Sequence, residues 1–152
     1  MTKHLLMTLP LALLAMNVRL NGQSEMHHAK GTFDVKVAPA TTQYTTRMLL
    51  DKQYHGDLEA SAKGEMLTAM TDIRDSAVYV AIETVTGKLH GKEGSFALHH
   101  TGIMNRGAQS LTVNVVPDSG TGGFAGISGK LTITITEGKH FYDLEYSLPE
   151  KP

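Results

Sequence analysis

Alternation of apolar and polar residues, repeated in short runs from Gly31 onward, is the feature that most constrains the fold of this chain. Phe33, Val35 and Val37 share one parity in the first run, with polar residues between them. Successive side chains of a strand point to opposite faces, so this period-two pattern predicts half-buried β-strands. Glycine, asparagine and aspartate separate the runs at hairpin spacing, which predicts about eight or nine strands.

The arrangement of these strands has two solutions on pattern alone. Antiparallel strands in this number either close into a barrel or stack as a sandwich, because open edges invite aggregation. The window from Glu65 to Arg74 is the one place where the spacing allows a turn or two of helix. Leu89-His90, between two glycine-containing turns, is predicted as a short strand.

Four separate motifs, in consistent order and spacing, carry a resemblance to a known family. They are Tyr79-Val80-Ala81-Ile82-Glu83, Glu93-Gly94-Ser95-Phe96-Ala97-Leu98-His99-His100-Thr101-Gly102, Val115-Val116-Pro117-Asp118-Ser119-Gly120-Thr121-Gly122 and Gly126-Ile127-Ser128-Gly129. From about Ala29 to Leu148 the chain resembles the bacterial domain-of-unknown-function family 3224. The resemblance implies an all-β fold, a closed antiparallel barrel of about eight strands like that of allene oxide cyclase, with at most one short helix. The family has no assigned activity, so the resemblance does not predict one for this chain.

Composition excludes several classes of function. The 152 residues fit one domain, which we place at residues 26–152, and the formal net charge is −1 without any run of Lys or Arg. A nucleic-acid surface needs clustered basic residues, so no nucleic-acid partner is predicted. Cysteine is absent, which removes disulfides, thiolate nucleophiles and zinc–thiolate sites.

Residues 1–25 differ in character from the rest of the chain. Lys3 and His4 precede an apolar run from Leu5 to Met16, which has the length of a signal-peptide core and is too short to span a membrane. Export to the periplasm or outside the cell is one interpretation. The other is a mis-assigned start, with translation beginning at Met26 and the protein remaining in the cytoplasm.

No cofactor or metal is predicted. Gly120-x-Gly122-x-x-Ala125 resembles a dinucleotide fingerprint, but residues 131–135 after it read as a strand, whereas that motif must open a helix. We therefore expect a tight connection with residues at positive φ. His99 and His100 are adjacent in a predicted strand and must point to opposite faces, so they cannot share one ion.

Polar residues on otherwise apolar strand faces are the candidates for a site. Glu83 lies among Val80, Ala81, Ile82 and Val85, and His100 shares a face with Phe96 and Leu98. A carboxylate inside a barrel must be paired, hydrogen-bonded or protonated. The full set of ligand-binding candidates is Glu83, His100, Glu65, Tyr79, Arg47 and Tyr146, and a purely structural network is the alternative.

Three functions fit this sequence. An eight-stranded barrel can hold one small ligand, which favours a protein that binds a small apolar or amphipathic molecule. A cyclase- or isomerase-like enzyme with a buried carboxylate and histidine is the second, and a solidly packed structural oligomer is the third. The run from Ala77 to Thr86 is apolar on both faces apart from Glu83, which suggests a neighbouring subunit and a homodimer or homotrimer.

Overall fold

Nine β-strands make up the fold in the computed structural model, which describes residues 25–41 and 45–149. The strands are β1 (Met26–Thr41), β2 (Thr46–Gly56), β3 (Leu58–Met70), β4 (Ala77–Leu89), β5 (Lys92–Asn105), β6 (Ala108–Val115), β7 (Thr121–Gly122), β8 (Ser128–Thr136) and β9 (Lys139–Ser147). Residues 1–24 of the predicted leader lie outside the described residues. Among those described, no helix is long and apolar enough to span a membrane.

Eight of these strands close into an antiparallel barrel. Each long strand pairs with the next along the chain, β6 pairs with β8, and β9 returns to pair with β1. The two-residue β7 adds to the beginning of β5 outside this ring. The prediction of an all-β closed barrel is therefore confirmed, while its likeness to allene oxide cyclase stays a prediction.

Three tight hairpins join neighbouring strands through residues at positive φ. The turns are His90-Gly91, Arg106-Gly107 and Glu137-Gly138, and both residues of each have φ between 45° and 89°. Two-residue turns with positive φ match the twist of antiparallel strands, and glycine adopts this conformation without steric cost. Leu89 thus ends β4, and the predicted short strand at Leu89-His90 is instead the end of one strand and the start of a turn.

The helix considered for Glu65 to Arg74 is not formed, because β3 continues to Met70. Backbone pairing on both edges explains this outcome: Glu65 pairs with Leu49 of β2 and with Ile82 of β4. Beyond Met70 the chain turns within residues 71–76, where the N–H of Ser76 donates to the carbonyl of Ile73 at 3.1 Å.

One end of the barrel is filled. We call it the closed end, and it carries the connection from β6 to β8, residues 116–127. Phe124 and Ile127 of this connection are fully buried. Phe124 meets the ring of Phe96 edge-on, with centroids 5.6 Å apart. The expected tight glycine-rich connection is confirmed, with positive φ at Asp118, Gly122, Gly126 and Gly129.

At the opposite end no residue within 25–41 and 45–149 fills the barrel as Phe124 does, and we call this end the mouth. The side chains at inward-facing positions near this end are half-buried or exposed to solvent. Examples are Met48, Thr68, Tyr79, Met104 and Ile135. The inward faces therefore divide the barrel interior into a packed closed end and an apolar opening at the mouth.

Candidate functional site

Glu83 is the centre of a polar cluster inside the barrel. It lies at an inward position of β4, between Ala81 and Val85, and only 1% of its surface is exposed. Its partner in the pairing with β3 is Gly64, where a Cβ would come within 2.7 Å of Glu83 Cβ. The absence of a side chain at Gly64 thus lets β3 pass close to the carboxylate-bearing residue.

Two groups donate hydrogen bonds to the same carboxylate oxygen. The hydroxyl of Tyr54 lies 2.9 Å from Oε1 of Glu83, and Nε2 of His100 lies 3.2 Å from it. A carboxylate oxygen only accepts, so His100 carries a proton on Nε2. His100 and Tyr54 are both buried.

Lys52 supplies the countercharge. Its Nζ lies 2.8 Å from Oε2 of Glu83, and Lys52 is only 5% exposed. The ammonium also lies 5.0 Å from the ring centroid of Phe33 and 5.9 Å from that of Tyr54, distances at which cation–π attraction contributes. A buried pair needs such additional partners, because removing two charges from water costs several kcal/mol each.

The cluster keeps Glu83 ionised. Burial by itself would raise the pKa of Glu83, but the hydrogen bond from His100 and the charges of Lys52 and His100 outweigh burial and lower the pKa below its ordinary value. Burial, followed by the neighbouring charge of Glu83, raises the pKa of the Tyr54 hydroxyl well above its ordinary value. At neutral pH Glu83 is therefore a carboxylate and Tyr54 keeps its hydroxyl proton.

A cavity of about 440 Å³ lies at the mouth. Its lining is largely apolar and includes three methionines, and its polar groups come from Thr68, Tyr79, Gln109 and Ser110. The lining residues are Met48, Thr68, Met70, Ala77, Val78, Tyr79, Gly102, Ile103, Met104, Gln109, Ser110, Leu111 and Ile135. A volume of this size and chemistry is typical of small-molecule sites.

Tyr79 connects the mouth to the buried cluster. It pairs with Gly102 of β5, and a Cβ at Gly102 would come within 2.0 Å of the Tyr79 ring, so the ring lies directly over the glycine. Burial, together with the negative charge of Glu83, raises the pKa of Tyr79. Tyr79 thus presents a hydroxyl donor at the mouth.

The remaining predicted site residues lie elsewhere. Arg47 and Glu65 form a two-pronged ion pair on the outer wall, where Nε of Arg47 donates to Oε2 of Glu65 at 2.8 Å. Tyr146 is buried at the closed end, and its hydroxyl lies 2.8 Å from Nδ1 of His90. The structure brings together Glu83 and His100, with Tyr79 nearby, and separates these three from Arg47, Glu65 and Tyr146.

Sequence reasoning missed Lys52 and Tyr54. Both lie at inward positions of β2, two and four residues after Leu50, and extending the alternation by two residues would have placed a lysine inside the barrel. The prediction that His99 and His100 face opposite ways is confirmed: His100 is buried in the lumen and His99 lies on the outer wall. Within residues 25–41 and 45–149, no three His, Asp or Glu side chains are placed to hold a metal ion.

Comparison with known proteins gives a family without an assigned activity. Residues 29–146 match the protein family of unknown function DUF3224. Among solved structures, a DUF3224 protein of unknown function from Shewanella oneidensis MR-1 is 45% identical, with a TM-score of 0.80. The alignment covers 84% of this chain and 100% of that one. No curated protein matches the chain.

Proposed function

Since the chain belongs to the DUF3224 family, we propose from its geometry that it is a binding protein for a small apolar or amphipathic molecule, held at the mouth of the barrel. The observation that carries this proposal is the contrast between the two ends. The closed end is filled by Phe96, Phe124 and Ile127. At the mouth, inward residues such as Met48 and Tyr79 and the outward residues Val78 and Ile103 instead line a cavity of about 440 Å³.

The lining indicates the kind of ligand. Met48, Met70 and Met104 are unbranched and polarisable, so they adapt to irregular apolar shapes. Thr68 and Tyr79 provide the few polar groups that would orient a hydroxyl, carbonyl or carboxyl group of the ligand. An alkyl or terpenoid chain with one polar end fits this lining best.

The two alternatives have weaker support. Catalysis by Glu83 would need a carboxyl group free to exchange a proton with a substrate, but Glu83 is already neutralised by Lys52 and hydrogen-bonded by Tyr54. A solidly packed structural barrel accounts for the closed end and leaves the mouth unexplained. The buried cluster is better understood as a structural network beneath the cavity, in which contacts to Glu83 hold strands β2, β4 and β5 together.

A fluorescent fatty-acid analogue tests the proposal. Ala77→Phe would fill the mouth, and Ala125→Phe, in the exposed connection at the closed end, is the matched control. We expect saturable binding to the natural chain, weakened about tenfold or more by Ala77→Phe, a loss of about 1.4 kcal/mol, and unchanged by Ala125→Phe. Equal binding by all three proteins, or none by the natural chain, would contradict the proposal.

A further inference from the structure

The outer wall of the barrel carries a contiguous aliphatic patch centred on β4. Val78, Val80 and Ile82 point outward from this strand while Ala81 and Glu83 point inward. Together with flanking residues from β3 and β5 they form what we call the aliphatic patch, each member being between 42% and 63% exposed: Leu67, Val78, Val80, Ile82 and Ile103. A single soluble domain rarely exposes an aliphatic surface of this extent without a partner.

Strand register brings the patch residues together. Leu67 pairs with Val80, and Val78 pairs with Ile103, so their side chains are direct cross-strand neighbours. Ile82 lies on the same outward row, two residues beyond Val80. A groove of about 580 Å³ crosses β3 to β5 at this level. The patch is thus a continuous, slightly hollow surface.

The two borders of the patch differ in charge. On the side of β2 and β3 lie Arg47, Asp51, Lys63 and Glu65, two cations and two anions, with Arg47 and Glu65 already paired to each other. On the side of β5 and β6 the outward residues are uncharged hydrogen-bonding groups: His99, Thr101, Thr112 and Asn114. The border on the side of β2 and β3 thus contains charged residues whose charges cancel. The border on the side of β5 and β6 contains only uncharged polar residues.

We propose that a second copy of this chain packs on the aliphatic patch, face to face, with the two-fold axis running along β4. This symmetry places the charged border of each copy over the neutral border of the other. Glu65 and His99 both pair with Ile82, one on each side, so the axis places Glu65 of one copy opposite His99 of the other. Arg47 of one copy likewise lies opposite Thr112 of the other. Like charges do not meet in this arrangement.

The border chemistry favours a second copy over a membrane surface. Binding to anionic lipid requires an excess of Lys and Arg around an apolar face. Here the cations Arg47 and Lys63 are balanced by Glu65 and Asp51. A polar border with balanced charge around an aliphatic centre is the composition of a protein–protein interface.

Sedimentation of the full chain tests the proposal. At about 100 μM the natural chain should be a dimer, and Ile82→Lys should be a monomer whose circular dichroism spectrum is unchanged. The matched control is Phe141→Lys, an exposed apolar residue on the outer face of β9, far from the patch. This variant should remain dimeric. A monomeric natural chain, a trimer, or a dimer that survives Ile82→Lys would overturn the proposal.

Single-cysteine variants keep the test decisive if Ile82→Lys fails to fold. The chain contains no cysteine, so Ile82→Cys and Phe141→Cys each introduce a unique thiol. With the axis along β4, the two copies of residue 82 face each other, and a short bis-maleimide should link Ile82→Cys into a covalent dimer. Phe141→Cys should not be linked. Equal linking of both variants, or of neither, would overturn the proposal.

Discussion

His100 and Glu83 meet inside the barrel across two neighbouring strands, with Nε2 of the imidazole 3.2 Å from Oε1 of the carboxylate. They are a diagonal pair, because Glu83 is registered with Leu98 and His100 with Ala81. Lys52 reaches the same carboxylate from β2. One carboxylate thus joins three strands of the barrel wall, below the mouth.

Replacing Glu83 by glutamine should destabilise the fold strongly. Glu83→Gln preserves the shape of the side chain but leaves the Lys52 ammonium buried without its countercharge, and breaking a buried pair in this way costs about 3–5 kcal/mol. Urea unfolding at pH 7 measures the change in free energy of unfolding. Glu65→Gln is the control, since it breaks the exposed pair with Arg47 and should change stability little. Equal losses in the two variants would contradict a central role for the buried cluster.

Stability should fall in acid through the titration of Glu83. Its pKa in the folded protein is below the ordinary value, so the unfolded chain binds protons more readily. The contribution of Glu83 is fully present above the ordinary glutamate pKa, about 4.3, and is lost as the pH falls through the folded-state pKa. Unfolding curves between pH 7 and pH 3 should show this loss. Glu83→Gln should flatten the dependence, and a slope unchanged by this substitution would contradict the assignment.

Alkaline conditions should destabilise the fold through the tyrosines. Burial raises the pKa of Tyr142 to about 12, and its hydroxyl accepts a hydrogen bond from the N–H of Leu58 at 2.9 Å. A raised pKa gives stability that is complete below the unfolded pKa, about 10, and declines as pH rises towards the folded value. Absorbance at 295 nm should show fewer tyrosines ionised at pH 11 in the folded chain than in urea. Identical titrations would refute the burial of Tyr54 and Tyr142.

A methyl group at Gly102 should displace the ring of Tyr79. The added Cβ of Gly102→Ala would come within 2.0 Å of Cε1 of that ring, so the ring must swing into the mouth. We expect a loss of about 1–3 kcal/mol from the forced repacking, together with weaker binding of an apolar probe. Tyr79→Leu in the same chain should restore part of the stability. Additive losses in the double variant would show that the two residues do not share this contact.

The strands were predictable because most of their inward residues are ordinary members of a period-two pattern, whereas their closure into a barrel followed from the family resemblance. Phe33, Val35, Phe96 and Leu98 follow that alternation. The sequence of β4 also shows that both faces of this strand are apolar. The pattern also identified Glu83 and His100 as polar exceptions. The alternation does not predict that they contact each other, because strand register depends on the turns and on every neighbouring pair.

The alternation in β2 places Lys52 inside the barrel, but its residue type argues against that position. A lysine in an alternating strand is usually assigned to solvent, since burying its charge requires a partner from a distant part of the chain. That partner, Glu83, is 31 residues away in sequence and two strands away in the barrel. Arg47 and Glu65 illustrate the converse: their chemistry suited a lumen site, but the parity of β2 and β3 places them outside.

Methyl NMR of the methionines tests ligand binding at the mouth most directly. Met48, Met70 and Met104 line the cavity, whereas Met26 begins β1 at the closed end and serves as an internal control. Single Met→Leu variants assign the resonances. On titration with decanoic acid, binding at the mouth predicts saturable shifts of the Met48, Met70 and Met104 methyls, with Met26 unchanged. Absence of saturable shifts at all three mouth methionines, or equal shifts at Met26, would contradict it.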